Sequence, residues 1–141
     1  GLPGEAPVRV AMKRHMERLL DSVILIDHFN GIPEATDFIS TLDPLRTAIS
    51  VITRAEILVG FDAEEQERPR ALLDQYTLLE IGKEAADRAA ALRREHGWKP
   101  PDAFQAALAT IAGVRLCTRN TKDFDPAVHP FIEIPYRLNR P

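Results

Sequence analysis

The stretch Arg18-Leu19-Leu20-Asp21-Ser22-Val23-Ile24-Leu25-Ile26-Asp27 constrains this chain more than any other, because it sets a carboxylate inside an otherwise apolar run. Burying a lone ionised carboxylate is costly enough to force either protonation or a compensating partner, so Asp21 needs a cation or a place at an open strand end. Leu19-Leu20-Asp21 reads as the end of a short buried strand, and Ser22 to about Phe29 as the helix that follows. Asp27, more than a helical turn beyond, reads as a solvated helix residue.

The rest of the chain alternates in the same way. An amphipathic helix spans Pro33 to Leu42. Thr47 to Val51 has the β-branched content of a strand, and a helix follows from Thr53 to Phe61. Beyond the charged run 62–68, helix continues from Pro69 to about Tyr76, with a third strand over Thr77 to Ile81. A long helix from Lys83 to His96 turns Ala85, Ala86, Ala89 and Leu92 inward and stops at Gly97. Pro100-Pro101-Asp102 opens a nearly all-apolar, hence central, helix through Ala112. Strands at Arg115 to Thr118 and near Phe131 to Ile134 complete an α/β pattern: a mainly parallel sheet of four to five strands flanked by helices.

Length fits a single domain over residues 18–141, preceded by a partly disordered tail or basic leader over residues 1–17 carrying Arg9, Lys13 and Arg14. The one cysteine, Cys117, cannot form an internal disulfide, which points to a reducing, cytoplasmic setting. Asp21 and Asp27 interrupt the best apolar run, so no membrane span is expected. A net charge of −3 gives no global attraction to nucleic acid. It leaves room for an enzyme whose acids are gathered in one site while scattered cations contact phosphates.

In parallel sheets, function collects beyond the carboxyl ends of the strands. Four acids fall there: Asp21 after the first strand, Glu56 after the second, Asp102 at the start of the central helix and Asp123 after the fourth strand. Each has an ordinary explanation. Thr53-Arg54-Ala55-Glu56 matches a capping box. Asp102 stabilises a helix dipole by roughly 0.3–1 kcal/mol, and Asp123 suits a polar turn. Asp21 alone has no local structural duty. Together they would repel and raise one another's pKa unless a divalent cation neutralised them, and hard oxygen ligands suit Mg²⁺ or Mn²⁺. Such a metal supports attack of water on a phosphodiester, which suggests a nuclease.

Four segments then resemble, in order, the motifs of PIN-domain ribonucleases, most closely the VapC toxins of type II toxin–antitoxin pairs. They are Leu19 to Asp27, Ile49 to Gly60, Pro101 to Ala109 and Thr118 to Phe124. The resemblance implies a PIN fold, Mg²⁺- or Mn²⁺-dependent RNA cleavage, a homodimer and a small VapB-type antitoxin. It places catalytic and metal-binding roles on Asp21, Glu56 and Asp102, with the fourth role shared between Asp123 and Asn120. Ser22 and Thr118 support the site. Val23 stands where the family usually has Asn. Arg54, Arg119 and Lys122 are candidate contacts to RNA phosphates. The four histidines show no ligand spacing, and Trp98 fits packing beneath the preceding helix.

Val23 and Asn120 also motivate a different reading, a catalytically silent PIN-like module that binds RNA or a partner. A phosphatase or receiver domain fits poorly. The phosphatase needs a second Asp two residues after the nucleophile, where Val23 stands, and the receiver needs an acidic pair near the first strand.

Overall fold

The computed structural model describes residues 15–139; the tail's Arg9, Lys13 and Arg14 lie outside the described residues. Strand β1 (Arg18–Leu20) leads into helix α1 (Ser22–Phe29), α2 (Pro33–Ser40), β2 (Thr47–Ser50) and α3 (Val51–Val59). Helix α4 (Glu67–Leu73), β3 (Thr77–Leu79), α5 (Lys83–His96), α6 (Pro100–Ala112), β4 (Arg115–Cys117) and β5 (Ile132–Glu133) follow. The five strands form one sheet in the order β3-β2-β1-β4-β5, every pair parallel.

Strand alternation builds two apolar layers, one on each face. Leu19, Ala48 and Leu116 point to one side, where Ala85 and Ala89 of α5, the alanines of α6, Trp98 and Phe124 cover them. Leu20, Ile49 and Cys117 point to the other, against Leu25, Ile57, Leu73 and Tyr76. Each central strand is therefore apolar at successive positions, as expected when both faces of a parallel sheet are buried. Among the described residues, no helix is long and apolar enough to cross a membrane.

Helices α5 and α6 run over the spans their sequence predicts. Gly97 ends α5 in the left-handed region at φ 70°, with its N–H donating to the Arg93 carbonyl. The inward stripe is narrower than expected: Ala85 and Ala89 are buried, whereas Ala86 is exposed. The start of α3 differs too. Its N-cap is Ser50, whose Oγ accepts from the Thr53 N–H at 3.1 Å, so the helix begins three residues before the Thr53-Glu56 capping box would place it. Strand pairing ends at Ser50, and a hydroxyl at that position caps the helix directly. Glu56 is thereby released from any capping duty.

Chain order moves from β1 outward to β2 and β3, then returns to place β4 on the opposite side of β1. The gap beyond the carboxyl ends of β1 and β4 is the topological switch point, where open α/β sheets bind ligands.

Candidate active site

Asp21 occupies that switch point. It is 6% exposed, and its backbone N–H donates to the carbonyl of Cys117 at the end of β4, 2.9 Å away. Its Oδ1 accepts from the Ser22 N–H at 2.9 Å and from Gln105 Nε2 at 3.3 Å, while Oδ2 accepts from Thr118 Oγ1 at 2.7 Å. All three donors are neutral, and no ion pair to Asp21 forms among the described residues. Burial pushes its carboxyl upward from the usual range, and the hydrogen bonds from Thr118, Gln105 and Ser22 oppose that.

The other acids stand around it. Asp102 lies in the first turn of α6, and its carboxyl is pushed up to about 6 by burial, then by the charges of Asp21, Asp123 and Glu56, against Lys99. Glu56, on the second turn of α3, is also raised, by burial and then by Asp21, with the Ser22 side chain opposing. Asp123 sits in the turn after β4, where Asn120 Nδ2 donates to its Oδ2 at 3.0 Å. Trp98, 6% exposed, fixes the same turn by donating from Nε1 to the Asp123 carbonyl at 3.1 Å. Trp98 is thus a packing residue, stacked on His96 and edge-on to Phe124. An open cleft of about 460 Å³ is lined by Asp21, Ser22, Val23, Asp102, Asn120 and Lys122, among others.

Thr118 links two parts of the site. Fully buried at the end of β4, it donates to Asp21 and accepts the Asn120 N–H at 3.0 Å. Gln105 and Thr53 meet behind Asp21, Gln105 Nε2 donating to Thr53 Oγ1 at 2.7 Å.

Asp27 requires a correction. It is 5% exposed rather than solvated: Arg119 donates Nε to Oδ2 at 2.7 Å and Nη2 to Oδ1 at 2.9 Å, and the Tyr136 hydroxyl donates to Oδ2 at 2.8 Å. Burial alone would raise the Asp27 carboxyl, but Arg119 and Tyr136 hold it below the ordinary value. One sequence signal was available, since Asp27 lies three residues after buried Ile24 and so shares its inward helix face. The pairing engages Arg119, as Asp74 engages Arg54 at 2.7 Å, so both guanidinium groups already carry an anion, and Arg119 lines the cleft beside Lys122.

A hard divalent cation suits the donor chemistry of this cleft. After burial, the charges of Asp21, Asp123 and Glu56 raise the Asp102 carboxyl and that of Asp21 raises Glu56, and the surrounding donors are hydroxyls and amides. As the side chains stand, no three of the described His, Cys, Asp and Glu residues converge on one point. This spacing fits Mg²⁺ or Mn²⁺ held by one or two carboxylates with waters completing its shell, rather than a cage made wholly of protein ligands.

The same spacing predicts a pH effect on the metal-free protein. Asp102 has a folded pKa of about 6 against an ordinary 3.8, so the folded state binds its proton more tightly than the unfolded state. The resulting stabilisation is complete below about pH 4 and is lost as pH rises through about 6. Thermal melts of the wild type and Asp102→Asn in a chelator should therefore coincide most closely near pH 4, and the variant should melt higher at pH 7.

A family model described as the PIN domain matches residues 18–127. Among solved structures, a chain of a toxin–antitoxin complex from Klebsiella pneumoniae is 39% identical, with a TM-score of 0.78, over 86% of this chain and 100% of that one. FitAcB from Neisseria gonorrhoeae matches at 19% identity and a TM-score of 0.69, over 84% and 97% of the two chains. DNA-bound VapBC from Salmonella typhimurium matches at 22% and 0.64, over 78% and 91%. These last two likenesses concern the fold. Comparison with curated proteins gives no match.

Proposed function

This chain belongs to the PIN domain family, and we propose that it is a VapC-type toxin, a divalent-metal-dependent endoribonuclease. The observation that carries the proposal is the gathering of acids about the sheet's switch point, where burial first, and then the charges of Asp21, Asp123 and Glu56, push the Asp102 carboxyl up to about 6. Asp21 and Asp102 line the cleft with Glu56 and Asp123 near enough for their charges to act on Asp102, and such acids become useful once a cation neutralises them.

Asp21, with one of Glu56 and Asp102, would hold Mg²⁺ or Mn²⁺ directly, and the remaining acid, with Asn120 or Asp123, would reach it through its waters. When bound, the metal supplies charge neutralisation at the scissile phosphate and a lower pKa for water. The protein's own groups do the rest. Asp21 is held in place by three neutral donors, which oppose the upward push of burial on its carboxyl and leave it without a neighbouring cation of the protein's own. Asp102, half-buried with a carboxyl near 6, is suited to orient the attacking water and take its proton at a carboxylate oxygen. Thr118 fixes Asp21, and the Ser22 side chain favours the charged form of Glu56. Lys122 and Arg119 line the cleft where a phosphate would lie, Arg119 while paired with Asp27, and Arg54 is held by Asp74.

The natural partner in this reading is a small VapB-type antitoxin, and the working unit is a homodimer in a cytoplasmic setting. The relative from Klebsiella pneumoniae, itself part of a toxin–antitoxin complex, supports the antitoxin. An antitoxin Arg reaching into the acidic cleft is a physically suitable inhibitor. The test is cleavage of RNA by the purified chain: activity should disappear in a chelator and return with Mn²⁺. Mn²⁺-independent RNA binding without cleavage would favour the silent binding module instead.

A further inference from the structure

Gln105, behind Asp21, is a buried polar side chain whose presence the proposed function leaves unexplained. It lies on α6, three residues after Asp102, among Ala103, Ala106, Ala107, Leu108 and Ala109, and is 1% exposed. An apolar residue would fill that position without difficulty. Instead, Nε2 donates to Thr53 Oγ1 and to Asp21 Oδ1, while Oε1 is buried without a hydrogen-bond partner. The orientation of the amide follows from its neighbour: an ionised carboxylate only accepts, so the nitrogen must face Asp21. Leaving a buried amide oxygen without a donor costs about 1–3 kcal/mol. As a stabiliser of the core, then, glutamine is a poor choice.

The same atoms make sense as a device for orientation. Thr53 sits at the start of α3, where its own N–H is tied to Ser50 at the end of β2. Thr53 and Gln105 therefore join the ends of β2 and β1 through one amide, and Thr118 joins β1 to β4 from the other side of the Asp21 carboxylate. We propose that Gln105, clamped by Thr53, is a positioning residue that fixes the Asp21 carboxylate toward the cleft, a duty that lowers rather than raises fold stability. This deepens the metal-dependent reading and rests on it. Groups that orient a metal ligand in this way typically change metal affinity or activity by 10- to 100-fold when removed.

The double variant Thr53→Val/Gln105→Met removes the link while keeping side-chain volume; the Ser50 hydroxyl loses a long 3.4 Å contact to Thr53 Oγ1 but still accepts the N–H of residue 53. Its Mn²⁺ affinity, measured by calorimetry, should fall by about tenfold or more, and turnover should fall with it. Its thermal midpoint in a chelator should equal or exceed that of the wild type, because a half-satisfied buried polar link has been replaced by apolar contacts. Thr53→Ser, which retains the hydroxyl, should keep wild-type Mn²⁺ affinity. A purely structural link predicts the opposite pattern: a double variant that melts several degrees lower or fails to fold, or one that folds with unchanged Mn²⁺ affinity, overturns the proposal. Failure of the underlying enzyme reading looks different, since the wild type itself would then neither bind Mn²⁺ nor cleave RNA.

Discussion

Asp102→Asn lowers RNA cleavage by roughly 10²- to 10⁴-fold and leaves the protein folded. The substitution keeps size and first-turn position in α6 but removes the charge that Asp21, Asp123 and Glu56 already disfavour. Asparagine can neither take a proton from water nor help neutralise a divalent cation, so the loss belongs to turnover. Because the removed charge is one that repels its neighbours, the fold does not suffer at pH 7. Single-turnover cleavage of an RNA substrate, measured beside the circular dichroism spectrum of the variant, separates the two effects. Cleavage within a few-fold of wild type by a folded Asp102→Asn protein would remove this residue from the mechanism.

The largest expected change in stability lies next to the fourth acid. Phe124 is fully buried, packs edge-on to Trp98 with ring centroids 4.9 Å apart, and belongs to the layer formed by Leu19, Leu116 and the alanines of α6. Phe124→Ala removes most of a large side chain from the layer dominated by α5 and α6. The expected cost is about 3–5 kcal/mol, combining lost burial with the cavity left behind. Urea denaturation should show the midpoint falling with little change in slope. Since Asp123 precedes Phe124 and its carbonyl accepts from Trp98, cleavage by the remaining folded protein should also fall. A loss below about 1 kcal/mol would mean that the layer closes around the gap, contrary to the close packing expected of protein interiors.

The fold was legible in the sequence wherever local chemistry decides. Apolar pairs such as Leu19-Leu20 and Leu116-Cys117 mark strands buried on both faces. Pro100 and Gly97, like Gly113, punctuate α5 and α6 at the places their backbone preferences dictate. The four acids could be placed near one sheet edge because each follows a strand or opens a helix. What remained hidden depends on partners far along the chain. Asp27 is buried by Arg119 and Tyr136, 92 and 109 residues away, and no local pattern announces that pairing. Ser50 displaced Thr53 as the cap because sheet pairing, a tertiary property, fixes where β2 ends. Thr53, freed from capping by its side chain, could then meet Gln105 across 52 positions.

Calorimetric titration of the purified chain with Mn²⁺, run beside Asp21→Asn, tests the central claim most directly. Asp21 combines deep burial, three neutral donors and a position at the switch point, so its charge should be the anchor of the metal site. The wild type should bind Mn²⁺ with affinity that Asp21→Asn reduces by at least tenfold, within the about 10- to 100-fold range known for groups that shape a metal site. Equal Mn²⁺ binding by both proteins, or RNA cleavage that persists undiminished in a chelator, would contradict it.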